Sequence, residues 1–422
     1  MNLFGPSSAL ADTASLSVQQ ARAAMGAALR PAVGMQAVAL HDALGRVLAA
    51  DVLSPIAVPA HDNAAMDGFA FDGGALDAGP VVELCIVGSV LAGVPFGSVL
   101  QTREAVRIMT GAVMPDGADT VLPQELAQWS ETQLHFDAAA VARGAHRRRR
   151  GEDLAPGAVA LRAGRVLTAA DLGLMASLGM VDVGVRRRLR VALFSTGNEL
   201  RAAGQRLEPG CIYDSNRASL RAALQRLGVE VIDLGLVRDE PAALRATLQE
   251  AAARADAVLC SGGVGAGDAD HTRAVLAELG RVEFWNVAMR PGRPFAFGHL
   301  QSADTPVWLF ALPGNPVAAL VSFYVFVRDA VLQLAGAQPN ALPLLSVPSR
   351  DAIAKRPGRA EFLRAQVLHT PGAGWQAQLA GPQGSGQLHS MSAANALVVL
   401  ASERGDVAAG EAVEVWLFDG LI

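Results

Sequence analysis

Cysteine, histidine motifs and a basic excess are scarce in this sequence, and each absence excludes a class of protein. The three cysteines, Cys85, Cys211 and Cys260, form no C-x-x-C pair, which excludes a disulfide scaffold and a zinc ribbon and favours a reducing cytosol. The eight histidines include no H-E-x-x-H motif, so a histidine-rich metal site is not expected. The formal net charge of −5 argues against a dedicated nucleic-acid or membrane-surface binder.

Targeting and membrane signals are also missing. The N-terminal residues MNLFGPSSALADTAS lack a basic region and an unbroken apolar core, so we expect no signal peptide and a cytoplasmic protein. Residues 307–327 carry no charge, but Pro313-Gly-Asn-Pro316 divides them into a strand and a helix. Each piece is expected to be shorter than the roughly 20 residues of a membrane span, so a buried strand-turn-helix is predicted.

The chain is long and apolar enough for several domains. Its 422 residues are 51% hydrophobic, and the length alone predicts about three domains. Apolar residues at helical spacing predict helices within residues 16–50 and again in LTAADLGLMASLG, with Thr168 as N-cap. Short apolar runs broken by Gly, Pro and Asp predict a β-rich region from 51 to 147, without a deep core pattern of its own.

Residues 188–335 follow a different pattern, in which strands alternate with amphipathic helices. This alternation predicts right-handed crossovers and a parallel sheet. The tail from about 340 to 422 again consists of short strands and turns, ending in GEAVEVWLF. We therefore predict an α/β multidomain protein with β-rich regions before and after a central α/β domain.

Ligands of open parallel sheets bind beyond the carboxyl ends of the strands, and the loops expected there are polar and rich in glycine. They are Ser195–Glu199, Arg238-Asp239, Ser261–Asp270 and Pro313–Pro316. The Ser261 loop has neither a P-loop lysine nor a G-x-G-x-x-G fingerprint. Its glycines would expose backbone N–H groups to a phosphate, or they would simply be required by a tight turn.

Carboxylates beside a phosphate site would repel it unless a cation bridges them. Mg²⁺ takes oxygen ligands and bridges phosphate oxygens, so Asp239 and Asp270 are candidate metal ligands, with Glu199 close by. Asp239 has an alternative role as the cap of the next helix.

Two clusters of arginine are candidate anion sites. Arg290 and Arg293 flank a rigid Pro-Gly corner and would present guanidinium forks to an oxyanion, unless they lie on an ordinary exposed loop. The run Arg147–Arg150 would be a solvated face, would pair with neighbouring acids, or would reach a substrate phosphate.

Six motifs in one order give the sequence a family resemblance over essentially its whole length. They are Asp62-Asn-Ala-Ala-Met-Asp-Gly-Phe69, Arg107-Ile-Met-Thr-Gly-Ala112, Arg148-Arg-Arg-Gly-Glu-Asp153, Phe194-Ser-Thr-Gly-Asn-Glu199, Ser261-Gly-Gly-Val264 and Leu312-Pro-Gly-Asn-Pro316. The set resembles the molybdopterin molybdenumtransferase family, called MoeA in bacteria and related to the E domain of gephyrin.

The resemblance implies a fold, an assembly and a reaction. It implies a linker and dimerisation domain (8–52 plus 148–187), an inserted β-rich domain (53–147), a central MogA-like parallel α/β domain binding pterin and nucleotide (188–337) and a C-terminal small β-barrel-like domain (338–422). It implies a homodimer that inserts molybdate into adenylyl-molybdopterin with Mg²⁺ and releases AMP. Transient partners would be a molybdopterin adenylyltransferase and molybdoenzyme maturation proteins.

The resemblance also assigns roles to matching residues. The expected catalytic residues are Asp67, Asp153, Glu199, Asp239 and Asp270, with Asp239 and Asp270 as Mg²⁺ ligands. The expected substrate-binding residues are Thr110, Arg148, Ser261, Gly262, Gly263, Arg290, Arg293, Pro313, Pro316, Arg364 and Ser385, of which Arg364 and Ser385 would line the molybdate pocket.

Several positions depart from the family pattern. They are Ala64 for Ser, Phe69 for Tyr, Gly265-Ala-Gly267 for Ser-Val-Gly, Asn286 for Lys, and Arg290 and Arg293 for Lys. Arginine keeps the charge but not the compact geometry of lysine, and Asn286 carries no charge. Two alternatives therefore stand beside the enzyme: a non-enzymatic dimeric scaffold of the gephyrin type, and a slow or tungstate-preferring paralogue.

Overall fold

The computed structural model describes residues 15–263, 269–301, 306–338 and 342–418, without the side chains of residues 269–273 and of Trp285. These residues divide into two compact units. Unit one contains the described residues of Met1–Ala49, Gly164–Thr168 and Val183–Ile422, and unit two contains Ala50–Ala163 and Ala169–Asp182. The four-domain boundaries stay a prediction.

The helices and strands of the described residues are numbered in chain order. The helices are α1 Val18–Ala28, α2 Ala169–Ser177, α3 Ser215–Arg226, α4 Pro241–Arg254, α5 Ala269–Leu279, α6 Pro316–Ser322, α7 Arg328–Leu334 and α8 Leu388–Ala393. The earlier strands are β1 Met35–Ala39, β2 Val52–Leu53, β3 Asn63–Ala64, β4 Gly68–Phe71, β5 Val81–Val90, β6 Glu104–Ile108, β7 Thr120–Pro123, β8 Gln128–Trp129, β9 Gln133–Asp137, β10 Arg147–Arg148, β11 Val159–Leu161 and β12 Asp182–Arg186. The later strands are β13 Arg190–Thr196, β14 Leu200–Arg201, β15 Ile212–Tyr213, β16 Glu230–Val237, β17 Ala257–Ser261, β18 Gly280–Asn286, β19 Met289–Arg290, β20 Pro294–Leu300, β21 Val307–Leu312, β22 Leu345–Pro348, β23 Ala360–Thr370, β24 Gly374–Leu379, β25 Ala396–Leu400 and β26 Ala412–Leu417.

The central sheet of unit one confirms the α/β prediction. Strands β16, β13, β17 and β21 lie side by side in that order and run parallel. Alternation along β13 sends Val191 and Leu193 into one hydrophobic core and Ala192 and Phe194 into another. Helix α3 packs into the first core, and helices α4 and α5 pack into the second. Both faces of the sheet are therefore covered, as a buried parallel sheet requires.

The sheet is not parallel throughout, which the sequence analysis missed. Strands β20 and β18 extend it beyond β21 as antiparallel neighbours. Strand β20 begins at Pro294, directly after Arg293. Its residues Phe295 and Phe297 are buried in the core. Only the turn from Arg290 to Arg293 remains a corner.

The uncharged stretch beyond β21 forms one long helix. Helix α6, a π-helical turn at Phe323–Val327 and helix α7 are continuous over Pro316–Leu334. These 19 residues are long and apolar enough to cross a membrane, so the argument from short length is wrong. The helix is nevertheless 78% buried inside the protein, which is typical of a core helix and agrees with the predicted buried strand-turn-helix.

The predicted helix at LHDALGRVLA is also wrong. That segment contains a short 3-10 turn at Leu40–Asp42, and isolated bridges then pair Val47 with Val166 and Leu48 with Val185. Gly45 between them has a φ of +70°, which an α-helix does not accommodate. The apolar residues of this segment lie in extended backbone and not in an α-helix.

The C-terminal part of unit one forms a curled sheet in the order β19-β23-β25-β26-β22, and β24 pairs with β23. A bridge between Ser349 and Ala377 joins the end of β22 to β24, so the sheet curls toward a small barrel. Its interior is an apolar cluster that includes Val347, Val398 and Val415. The strand predicted at GEAVEVWLF is confirmed as β26.

Unit two is built on a sheet in the order β7-β4-β6-β5-β9-β8. Alternation along β4 places Ala70 in one apolar cluster and Phe69 and Phe71 in another, one on each face. The strands predicted in this region are confirmed as β5, β6 and β7. The expectation that this region lacks a core pattern of its own is wrong.

Candidate functional site

The polar loops of unit one leave the parallel strands at one edge, as the sequence predicts. Register pairs Ser195 of β13 with Ser261 of β17, and Ser261 with Leu312 of β21. Thr196 pairs with Val237 on the other side. Because parallel strands end in the same direction, the loops after these residues share the carboxyl edge.

The start of the glycine loop is shaped by close backbone packing. Gly262 has a φ of +96°, and a Cβ added there would lie 2.1 Å from the carbonyl oxygen of Thr196. Its N–H donates to the carbonyl of Leu312 at 3.1 Å. Gly262 is therefore required by the turn itself, and Gly263, with a φ of +67°, continues it. Residues 264–268 and the predicted departures at Gly265–Gly267 lie outside the described residues.

One hydrogen-bond network at this edge was not predicted. The Nδ2 atom of Asn216, at the start of α3, donates to the Oγ of Ser261 at 2.7 Å and to the carbonyl oxygen of Gly314 at 2.7 Å. The Ser261 hydroxyl donates to the carbonyl of Pro313 at 3.1 Å. Ser261 is 1% exposed, so its hydroxyl ties the two loops together. Asp214-Ser-Asn, an N-cap signature before an apolar run, was the available signal.

A partly buried ionic chain supports the same helix. Asp214 caps α3 through the N–H of Arg217 at 3.0 Å and accepts from the Ser195 hydroxyl at 3.1 Å. Arg217 also pairs with Asp233 at 2.8 Å. Burial opposes ionisation of Asp233, but the Gly235 amide and the Arg217 guanidinium hold its pKa below the ordinary value.

The predicted acidic residues of unit one occupy neighbouring loops. The backbone N–H of Asp239 donates to Oδ1 of Asn198 at 3.2 Å, which joins the loops after β16 and β13. Glu199 is exposed in the second of these loops. The N-cap residue of α4 is Glu240, so the capping interpretation of Asp239 is wrong. Asp270 begins α5 as its second residue, and its side chain lies outside the described residues.

The turn Arg290–Arg293, here called the basic corner, packs against helix α6. A Cβ added to Gly292, at a φ of +101°, would lie 2.5 Å from the Oγ of Ser322 in α6, so only glycine fits there. Arg290 pairs in register with Glu361 of β23. The guanidinium groups of Arg290 and Arg293 are exposed and form no hydrogen bond or ion pair within the described part of the chain. They are available to an anion.

Arg364 is enclosed by the protein backbone. It is 0% exposed, and its guanidinium donates to the Oγ of Ser390 and to the carbonyls of Pro382, Gln383 and Gly384. Burial lowers its pKa. The Arg364 guanidinium therefore holds the loop before Ser385, and its role in lining the molybdate pocket stays a prediction. The carbonyl of Ser385 accepts from the N–H of Val317, in the first turn of α6 after Pro316.

Unit two brings together two of its four predicted site residues. Oδ1 of Asp67 accepts the N–H and the hydroxyl of Thr110, each at 2.7 Å. The N–H of Thr110 is the main reason that the pKa of Asp67 lies below its ordinary value, and the Thr110 hydroxyl and nearby Arg107 lower it further. Arg148 is exposed and pairs with Asn63 between strands β10 and β3. Asp153 is also exposed, and its backbone N–H donates to the carbonyl of Val58.

Part of the arginine run pairs with an acid, which was one of its three alternatives. The Nε atom of Arg147 lies 3.4 Å from Oδ2 of Asp62, and the backbone N–H of Arg150 donates to Oδ1 of Asp62 at 2.7 Å. Arg148, Arg149 and Arg150 have exposed side chains.

The described carboxylates at the carboxyl edge do not form a cage for a cation. Within the described residues, no group of three or more His, Cys, Asp or Glu side chains is placed to hold a metal ion. A Mg²⁺ ion at Asp239 would therefore need oxygens from the substrate as well.

Comparison with known proteins agrees with this architecture. The MoeA N-terminal region (domain I and II) matches residues 16–179, a probable molybdopterin binding domain matches residues 192–333, and the MoeA C-terminal region (domain IV) matches residues 346–418. The molybdopterin molybdenumtransferase of Haemophilus influenzae is 39% identical over 408 residues, which are 96% of this chain and 100% of that protein. Molybdopterin molybdenumtransferase 2 of Mycobacterium tuberculosis is 36% identical over 389 residues, 90% of this chain and 94% of that protein.

Solved structures agree as well. The crystal structure of the molybdopterin biosynthesis moeA protein from Pyrococcus horikoshii OT3 superimposes with a TM-score of 0.82 at 26% identity, covering 96% of this chain and 100% of that one. Fold and matches define a multidomain protein built around a molybdopterin-binding type of α/β domain. The chain belongs to the molybdopterin molybdenumtransferase (MoeA) family.

Proposed function

We propose that this protein is a transferase of molybdenum cofactor biosynthesis that inserts molybdate into adenylyl-molybdopterin and releases AMP. The observation that carries the proposal is the 39% identity over 96% of the chain to a relative named molybdopterin molybdenumtransferase. The relatives carry the name of an enzyme, which favours a transferase over a scaffold of the gephyrin type.

Arg290 and Arg293 are the proposed molybdate-binding residues. Their guanidinium groups are exposed, have no partner in the described part of the chain, and stand on a corner fixed against α6 by Gly292. Charge-assisted forks on a rigid turn suit a tetrahedral oxyanion. Ser385, held at the first turn of α6, and the Pro313–Pro316 turn complete the proposed substrate-binding set on this side.

The glycine loop and the acidic loops are the proposed nucleotide side. Gly263 would offer its backbone N–H to the phosphates, Gly262 would shape the turn that presents it, and Ser261 would act through the loops it joins. Glu199, Asp239 and Asp270 are the proposed catalytic carboxylates here. In unit two, Asp67 and Asp153 are the proposed catalytic carboxylates, and Thr110 and Arg148 are the proposed substrate-binding residues. Backbone N–H groups, arginines and a cation held by the carboxylates would stabilise the negative charge that develops when the phosphoanhydride to AMP breaks.

A magnesium ion is part of the proposal. Asp239 and Asp270 would supply its protein ligands, and the substrate phosphates would supply the others. When bound, the ion neutralises phosphate oxygens during AMP release.

The proposed assembly is a cytoplasmic homodimer in which the 53–147 region of one subunit faces the pterin cleft of its partner. A molybdopterin adenylyltransferase would hand over its product, and molybdoenzyme maturation proteins would receive the cofactor.

One assay tests the proposed function. Purified protein is incubated with adenylyl-molybdopterin, Mg²⁺ and either molybdate or tungstate, and AMP is quantified. Molybdate-dependent AMP release supports the proposal. Release that depends on neither oxyanion, or no release at all, refutes it, and faster release with tungstate assigns the chain to a tungstate-preferring activity.

A further inference from the structure

One side chain holds three elements at the carboxyl edge of the parallel sheet. Asn216 in the first turn of α3 reaches the end of β17 at Ser261 and the turn after β21 at Gly314, both at 2.7 Å. The Ser261 hydroxyl in turn donates to the carbonyl oxygen of Pro313 at 3.1 Å. Asn216 is 7% exposed, so water does not replace these bonds easily.

The direction of every bond in this network is fixed. The carbonyl oxygen of Gly314 only accepts, so the atom of Asn216 that faces it must be the amide nitrogen. The Ser261 hydroxyl uses its proton on the carbonyl of Pro313 and therefore accepts from the same nitrogen. Both protons of the amide are engaged, and neither a carboxylate nor an aliphatic side chain provides the same pair.

The carbonyl oxygen of the Asn216 side chain, Oδ1, indicates that this asparagine does more than stabilise the fold. Its Oδ1 is buried without a hydrogen-bond partner among the described residues, as is the nearby Oγ1 of Thr196 at the end of β13. An unpaired buried acceptor disfavours the folded state. The two hydrogen bonds of the Asn216 amide instead fix the distance between Ser261 and the Pro313–Pro316 turn.

We propose that Asn216 is a positioning residue of the molybdenum-insertion site. It sets the distance between the loop that starts at Ser261 and the turn that starts at Pro313, and so holds both ready for the pterin nucleotide. The inference rests on the proposed function, because these two loops are the proposed substrate-binding loops. A displacement of about 1 Å in such elements lowers turnover by about a hundredfold.

Asn216→Asp is the informative substitution because it nearly preserves shape. The protonated acid has one donor for Gly314, whereas the ionised acid has none and repels both acceptors. Burial among carbonyls raises the pKa of a carboxyl group, so the change between the two forms is expected within the working pH range. Ser219→Ala is the matched control on the same helix, because the Ser219 hydroxyl donates only to carbonyls of α3.

The experiment measures kcat and KM for AMP release between about pH 6 and pH 8.5, at a temperature where each variant is folded by circular dichroism. We expect the ratio of wild-type to Asn216→Asp kcat to rise from about tenfold at low pH to about a hundredfold at high pH, with a smaller change in KM. The Ser219→Ala ratio stays near one. A kcat ratio that does not vary with pH, or that remains near one, overturns the proposal.

A second readout does not depend on the reaction. Amide hydrogen exchange of peptides covering residues 257–263 and 309–318 is followed in wild type, Asn216→Asp and Asn216→Ala. Faster exchange in both segments, increasing with pH beyond the intrinsic rate only in Asn216→Asp, supports the positioning role. Unchanged exchange in both segments overturns it. If the wild type releases no AMP, the proposed function fails, and this arm still decides whether Asn216 sets the two loops.

Discussion

Asp67 and Thr110 join the ends of two neighbouring antiparallel strands in unit two. The Asp67 carboxylate, directly before β4, accepts the N–H and the hydroxyl of Thr110, two residues beyond β6, both on the same oxygen at 2.7 Å. Two bonds from one residue stabilise the charged form, which is why the pKa of Asp67 is lowered.

Thr110→Ala is expected to raise the pKa of Asp67 without restoring its ordinary value. The substitution removes the hydroxyl, while the backbone N–H, the larger cause of the lowered pKa, remains. A depressed folded-state pKa gives stability that is present above the unfolded pKa and lost as pH falls through the folded pKa. The stability difference between wild type and variant is therefore expected at neutral pH and vanishes in strong acid. Carboxyl NMR titration checks the pKa, and an unchanged value contradicts the assignment.

Replacing both Arg290 and Arg293 with Ala is expected to weaken molybdate binding while the fold stays intact. Each charge-assisted hydrogen bond contributes about 1.5–3 kcal/mol, and neither guanidinium supports the described structure through a hydrogen bond or ion pair. Calorimetric titration with molybdate measures the loss. Arg206→Ala, at another exposed arginine of unit one, is the control. Equal affinity in the double variant removes these residues from the site.

Gly262→Ala is expected to lower the free energy of unfolding by about 2–4 kcal/mol, because the new Cβ would meet the Thr196 carbonyl and the positive φ is strained. Gly34→Ala is the matched control, since no atom lies within 4 Å of the added Cβ and the change is expected to stay within about 1 kcal/mol. Urea unfolding of both variants tests this. Similar midpoints for the two would show that the turn is not packed as described.

Lys355 is the only lysine in the sequence, and it is 4% exposed. Its ammonium donates to the carbonyls of Arg404 at 2.8 Å and Ser402 at 3.3 Å. Lys355→Met is expected to destabilise by about 1–3 kcal/mol, because these buried acceptors lose their donor. An amine-reactive reagent should modify Lys355 only when urea unfolds the chain, as followed by peptide mass spectrometry. Rapid labelling of the native protein would contradict this burial.

Asp270→Asn separates helix stability from catalysis. Asp270 is the second residue of α5, and asparagine keeps its size while losing only the attraction of a charge to the helix N-terminus, so the melting temperature is expected to stay within a few degrees. If the charge holds Mg²⁺ or orients the substrate, AMP release is expected to fall by about a hundredfold. Near wild-type turnover at saturating Mg²⁺ in a folded variant would show that the carboxylate is dispensable.

The alternation of apolar strands with amphipathic helices was enough to predict the parallel sheet and the edge where its polar loops meet. The antiparallel strands β18 and β20 were missed because basic residues and a Pro-Gly turn stand between two Phe-rich segments that only tertiary packing brings into the sheet. The helix predicted around Gly45 does not form, because Gly45 has a positive φ that the apolar spacing does not reveal.

Candidate site residues could be named from the sequence where a charge or a glycine marks them. Gly262 lies at the carboxyl edge of the sheet, and Arg290 begins the corner that packs against α6; their roles stay predictions. Asn216 was missed because an asparagine in a first helical turn is common, and its partners lie 45 and 98 residues away. Arg364 is predicted from the family resemblance to line the molybdate pocket, but nothing in a strand sequence shows that its guanidinium is enclosed by backbone carbonyls.

The enclosure of Arg364 changes how the segment around Ser385 should move. The guanidinium of Arg364, which belongs to the barrel strand β23, forms hydrogen bonds to the carbonyls of the loop before Ser385. This loop therefore opens only when β23 also opens. Its local unfolding free energy should then approach that of the barrel, rather than that of an ordinary surface loop. A ligand that settles against Ser385 would find the backbone already ordered and would lose little conformational entropy on binding.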